Sequence, residues 1–311
     1  MIIALVVLSA FLHALWNALL RLEKEKDRSL VVAIAVATLV AVVVAGVRWG
    51  LGEVPFASWR GVGFTLLAGM LEAAYFATLA KAMALGRLGV VYTISRGGAV
   101  LAVWPLSIAL FGEAAKLLSL IGSVLVVGGL ALSGFGSTRR SGVAGAGSAG
   151  AETGSGDARR GGGGDGASEH GRERRAVSWA MACAMSIAGY HLAYAAALSE
   201  QVNPSACFAL SLGVSVAINA TRLYRAGRMR GAKALVMERW PRLLVMGIVA
   251  SGSFLVLLEA LARGGAGYVL TLRNTSVLFA VAMAWRIGER PARAEVAGAA
   301  LVAAGAALLA L

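Results

Sequence analysis

Cysteine, proline, histidine and acidic side chains are all scarce in this chain of 311 residues, and each scarcity removes a class of function. The two cysteines, Cys183 and Cys207, lie in apolar stretches, so neither their number nor their spacing supplies a disulfide framework or a thiolate metal site. With three histidines there is no H-E-x-x-H pair, and neither a G-x-S-x-G elbow nor a Walker loop occurs. A G-x-G-x-x-G match at Gly145, Gly147 and Gly150 follows no strand and opens no apolar helix, which removes dinucleotide binding there. No metal and no cofactor is expected. Charged residues make up 14% of the chain against 59% hydrophobic, and the mean hydropathy is +0.76. That balance is too apolar for a water-soluble globule.

What is abundant is uninterrupted apolar sequence. A bilayer crossing takes about 20 such residues, and ten runs qualify: 2–21, 30–49, 61–83, 88–110, 115–134, 177–198, 204–221, 242–262, 266–285 and 291–310. The first run has no basic segment before it and is read as a retained span. Pro204, Pro241 and Pro291 fall at expected helix starts, where the missing amide donor costs nothing, whereas Pro105 falls inside span 4. The expected class is an all-α polytopic membrane protein. Between spans 5 and 6, residues 135–176 are rich in Gly, Ser and Arg, have little to bury, and are expected to form a disordered cytosolic linker.

The net charge of +13 would suit a nucleic-acid binder, but its distribution points elsewhere. If spans alternate direction, 23 Lys and Arg fall on the face of the odd-numbered loops and 4 on the other, with Arg96 and Arg273 left inside spans. This excess places the odd loops and the linker in the cytosol and both termini outside. Nucleic acid is therefore not an expected partner; the bilayer is.

The chain also repeats itself. "HALWNALL" from His13 meets "HLAYAAAL" from His191 at an offset of 178, and Arg96 meets Arg273 at 177. Four identities follow at 176: Gly112 with Gly288, Glu113 with Glu289, Gly122 with Gly298, and Gly129 with Gly305. Residues 1–134 and 177–311 thus read as two copies of one five-span unit. Because five is odd, the second copy enters the membrane from the opposite side. Two inverted five-helix repeats can exchange conformations around a central site, which is the logic of a carrier.

Ionisable groups in mid-membrane cost about 3 kcal/mol or more and should face the interior. Arg96 and Arg273 keep their charge and present a planar donor fork suited to carboxylate or phosphate. Each is either a substrate-contacting cation or half of a structural ion pair with Glu72 or Glu259. Glu72, which has no acidic twin in the second half, can take and release a proton and is the candidate coupling residue; the alternative is an ion pair with either arginine. Glu259, with Arg263 at i+4, reads as a surface helix pair. His13 with Trp16 and Asn17, His191 with Tyr194, and Tyr92 one turn before Arg96 make a polar and aromatic lining, or else pairs that satisfy one another between helices. Lys81 should snorkel to the interface, and the paired glycines of spans 5 and 10 should make packing contacts.

In this order, "HALWNALL", "YTISRGG" leading to "LFGE", and "LRNTSVLFA" leading to "IGER" resemble the EamA-type carriers of the drug/metabolite transporter superfamily over nearly the whole chain except the linker. The resemblance implies a bacterial inner-membrane carrier, often an exporter of metabolites or amino acids, with its cavity lined by spans 1, 3, 4, 6, 8 and 9. It also adds Asn274, where similar proteins often place an acid, to the expected substrate-binding set. The expected activity is secondary transport of a small polar or amphiphilic, amino-acid-like metabolite, and not enzymatic. The alternatives are a flippase for a lipid-linked substrate and an integral-membrane enzyme using His13 or His191 as a base. Expected partners are the small-molecule substrate, lipid, protons through Glu72, and a second chain if the carrier is a homodimer.

Fusion reporters test the orientation. A fluorescent protein inserted within 149–164 should fold and fluoresce, while alkaline phosphatase fused after Leu311 should be active; the opposite pattern would reverse the assigned topology.

Overall fold

The computed structural model describes residues 1–85, 88–112, 116–148, 165–286 and 292–310. Among them the chain forms α1 (Ile2–Arg21), α2 (Lys26–Gly50), α3 (Trp59–Leu85), α4 (Leu88–Phe111), α5 (Leu117–Ser148) and α6 (Asp165–Ser199). There follow α7 (Pro204–Arg225), α8 (Ala232–Leu261), α9 (Ala266–Arg273), α10 (Ser276–Arg286) and α11 (Arg293–Ala310). Eight of the described segments are long and apolar enough to cross a membrane, and Leu117–Leu132 adds a shorter apolar helix. The chain is an all-helical, polytopic membrane protein.

Several ends follow from local chemistry. Pro204 occupies the first turn of α7, and the Asn203 side chain accepts a hydrogen bond from the Ser205 amide at 3.0 Å, a cap for one of the orphan donors. Gly112 takes a φ of +66° after α4, a conformation open to glycine at little cost, and so reverses the chain. Pro105 lies inside α4 as expected.

Pro241 does not start a helix. It sits within α8, which begins nine residues earlier at Ala232, because Arg239 and Arg242 beside the proline both reach the buried carboxylate of Glu23 at the end of α1. That tertiary attraction outweighs the one backbone hydrogen bond the proline removes. The expected linker is helical at its edges, since α5 continues to Ser148 and α6 starts at Asp165. Once nucleated, a helix extends at low cost. Residues 149–164, together with the turn residues Glu113, Gly288 and Glu289 and the helix-start Pro291, lie outside the described residues.

The packing of one half recurs in the other. α3 lies along α6 as α8 lies along α1; α3 packs on α7 as α8 packs on α2; α2 meets α7, and α5 meets α11. Close contacts reproduce this to the residue. A Cβ on Gly69 would stand 2.5 Å from the Ser211 carbonyl and 2.9 Å from Val214, and one on Gly247 would stand 2.7 Å from the Ala33 carbonyl and 2.6 Å from Val36. All three correspondences, 69 to 247, 33 to 211 and 36 to 214, have the offset of 178 that relates the two histidines. Likewise a Cβ on Gly129 would meet the Gly298 carbonyl at 2.5 Å, and one on Gly305 the Gly122 carbonyl at 2.5 Å.

Ion pairs fix the helix directions. At one end Asp27 of α2 pairs with Arg228, and Glu23 with Arg242 near the start of α8; at the other, Arg48 of α2 pairs with Glu259 of α8 at 2.5 Å. α2 and α8 therefore run parallel. Since α2 and α3 are joined by a short loop and reverse direction, α3 and its counterpart α8 point opposite ways, which is the inverted arrangement.

Backbone-to-backbone proximity at α5 and α11 predicts a sharp contrast between neighbours. Gly129→Ala should lower stability by about 1–3 kcal/mol through overpacking, whereas Gly128→Ala, with nothing within 4 Å of the new Cβ, should be neutral or stabilising by up to about 1 kcal/mol. Melting of the detergent-purified variants measures both.

Candidate substrate-binding site

Span 9 is the element that departs most from its expected form. After Arg273 the run Asn-Thr-Ser breaks it into α9 and α10. Asn274 donates through Nδ2 to the Leu270 carbonyl at 3.0 Å, and the amides of Asn274, Thr275, Val277 and Leu278 each bond three residues back instead of four. Short polar side chains compete with the helix ladder in this way. The corresponding stretch of α4 after Arg96 reads Gly97-Gly98 and stays within one continuous helix. A discontinuous helix at membrane depth is tolerated where it faces protein or a cavity.

Two ties bring the arginines together. Trp104 of α4 donates from Nε1 to Thr271 Oγ1 at 3.0 Å, with Gly267 allowing its ring close to α9. On α1 and α8, Ser9 donates to the Ser253 carbonyl at 2.8 Å and Ser253 back to the Ser9 carbonyl at 3.0 Å, which sets His13 one turn beyond against Phe254.

The result is a buried cluster centred on His13. Arg96 Nη2 lies 2.8 Å from His13 Nε2, and Arg273 Nη2 lies 3.2 Å from His13 Nδ1, where Trp16 Nε1 also donates at 3.2 Å. Arg273 Nη1 reaches His191 Nε2 at 3.3 Å. Each arginine thus meets the histidine of its own half, Arg96 with His13 of α1 and Arg273 with His191 of α6, and Arg273 also reaches His13 across the halves. The Arg273 guanidinium also lies over the Phe254 ring at 4.5 Å, while its Nε is buried with no hydrogen-bond partner. Arg96, His191, Arg273 and Asn274 line a small pocket.

A second layer lies beside it. Tyr194 Oη donates to Glu72 Oε2 at 3.2 Å and lies 2.8 Å from Ser211 Oγ. Glu72 stands with Trp16, Phe76 and Phe254 in the wall of another small cavity, otherwise apolar. Tyr190 stacks on His191 with ring centroids 4.1 Å apart.

Of the residues expected from sequence, Arg96, Arg273, His13, His191, Trp16 and Asn274 converge, and Glu72 with Tyr194 forms the adjoining layer. Asn17 does not join them: it is exposed and donates to the His13 carbonyl at 2.7 Å on its own helix, a local bond that competes with any outward contact. The Tyr92 side chain lies outside the described residues. Among the described residues Arg273 makes its close contacts with His13 and His191 and no salt bridge with a carboxylate, and Glu259 is taken up by Arg48 and Arg263. Lys81 projects over the Trp179 ring at 4.2 Å. Sequence reasoning missed Phe254, Trp104, Tyr190 and Ser211. Phe254 was within reach of it, since Phe76 lies 178 residues earlier and both line the Glu72 cavity.

No curated protein matches the chain in sequence. One solved structure, a crystal structure of a protein without further description, is similar at 16% identity and a TM-score of 0.68, over 99% of this chain and 94% of the other. That likeness concerns the fold. Residues 174–311 match the sequence model of the EamA-like transporter family. This second half of the chain is thus similar to the EamA-like transporter family.

Proposed function

We propose that this transporter exports a small amphiphilic metabolite across a bacterial inner membrane by alternating access, with Arg96, Arg273, His13 and His191 as the substrate-binding centre. The observation that carries the reading is the meeting of one guanidinium from each half on a single imidazole, His13. A contact shared by both repeats is broken or remade whenever the repeats move against each other, so occupancy and conformation are linked there. A buried guanidinium, Arg273, and a partly buried one, Arg96, also need a reason to be retained in hydrocarbon, and an oxyanionic substrate group provides one. Trp16 and Asn274 complete the wall. Residues 1–134 and 177–311 act as the two moving units, joined by the cytosolic stretch 135–176, with both termini outside.

Glu72 is the proton carrier in this scheme. Its carboxylate sits in an otherwise apolar wall, and Tyr194 can donate to it when it is charged or accept from it when it is protonated. Ser211 beside Tyr194 takes up the change in hydroxyl direction.

The test compares the metabolites accumulating in the medium of cells that express the wild type, Arg273→Gln or Arg96→Gln at equal membrane levels. The wild type should raise at least one small metabolite severalfold, and each variant should reduce that excess at least about tenfold, as expected when a charge-assisted contact is lost. Unchanged secretion by both variants would reject the site. Once that metabolite is identified, Glu72→Gln in proteoliposomes should still exchange it across the bilayer but lose acceleration by an imposed pH gradient; retained acceleration would remove Glu72 from the coupling role.

A further inference from the structure

The hydrogen-bond inventory of the centre is unbalanced. His191 Nδ1 faces the Ile187 carbonyl at 2.8 Å, an acceptor only, so the proton resides on Nδ1 and Nε2 is left to accept from Arg273. His13 has no such resolution. Its Nδ1 faces the Trp16 indole N–H and Arg273, its Nε2 faces Arg96, and all three neighbours only donate. A neutral imidazole accepts at one nitrogen, so in either tautomer an N–H is aimed at another N–H. Arg273 Nε, in a side chain that is 4% exposed, adds a donor with no partner. The centre therefore has more donors than acceptors, and the missing acceptors must come with the ligand.

Charge runs the same way. Among the described residues, two guanidiniums lie against His13, and the carboxylate of the adjoining layer, Glu72, already accepts from Tyr194. The described lining of the pocket beside Arg273 contains no acid, and apart from its four polar members it consists of small aliphatic wall, Val100, Val103, Ile187 and Leu270 among it. An α-ammonium placed there would be a third cation with no counter-charge in a low-dielectric site; the neutral amide of Asn274 does not offset it.

We infer that the pocket between α4, α6 and α9 selects a small organic acid that carries a carboxylate beside an apolar body and no ammonium group, so that zwitterionic amino acids are disfavoured. This deepens the carrier reading and rests on it for the site's role, and it narrows the amino-acid-like expectation drawn from sequence. The carboxylate accepts from Arg273 and relieves the donor clash at His13, and the aliphatic wall takes the body.

Three probes of matched shape separate the cases: isocaproate, its neutral amide isocaproamide, and leucine, which is isocaproate with an added ammonium. Thermal melting of the detergent-purified full chain at fixed ionic strength should show an upward shift of at least about 2 °C with saturating isocaproate, and none with the other two. Arg273→Gln should abolish the shift, and Arg273→Lys, which keeps the charge, should retain part of it. The wild-type ranking of the three probes decides the matter even if a variant fails to fold. No shift with isocaproate, an equal or larger shift with leucine or the amide, or an undiminished shift in Arg273→Gln would overturn the inference. Secretion in cells with leucine as the better ligand would keep the carrier and discard the anion selectivity; isocaproate binding without any secreted metabolite would do the reverse.

Discussion

A guanidinium in the hydrocarbon region is a standing liability of several kcal/mol unless its donors find partners. Here two of them are tolerated because each is delivered to an imidazole by a helix that is itself fixed from a neighbour. Trp104 fastens α4 to α9, and the reciprocal serine pair fastens α1 to α8. Much of the bundle's packing can be understood as what holds these two cations within reach of His13.

The same arithmetic explains why the helices approach so closely. Between lipid-facing helices there is little hydrophobic gain, so association rests on backbone proximity and packing. Gly69, Gly247, Gly129 and Gly305 supply it in pairs related by the repeat offset. Each pair uses equivalent neighbours in exchanged halves.

Sequence legibility followed the range of the forces involved. Span number, the cations in mid-membrane and the internal duplication depend on composition and on residues of the same chain at a fixed offset, so Arg96, Arg273, His13 and His191 could be singled out before any coordinates. The start of α8 could not, because Arg239 and Arg242 extend it past Pro241 by reaching a carboxylate more than two hundred residues away. The break after Arg273 was written in Asn274 and Thr275, but the local competition of their side chains with the helix ladder decides the outcome only when a cavity lies alongside. Asn17 was misread for a related reason: an amide on the right helix satisfied itself one turn back.

The ionic contacts at the two ends of α2 and α8 differ in kind. Glu23 is almost wholly enclosed, whereas Glu259 and Arg48 keep about a quarter of their side-chain surface in contact with solvent. Water and salt weaken the latter pair more than the former, whose carboxylate is enclosed while Arg239 and Arg242 keep part of their surface open. The two ends of the α2–α8 pair are thus held by contacts of unequal sensitivity to ambient electrolyte, so added salt loosens one end of the pair before the other.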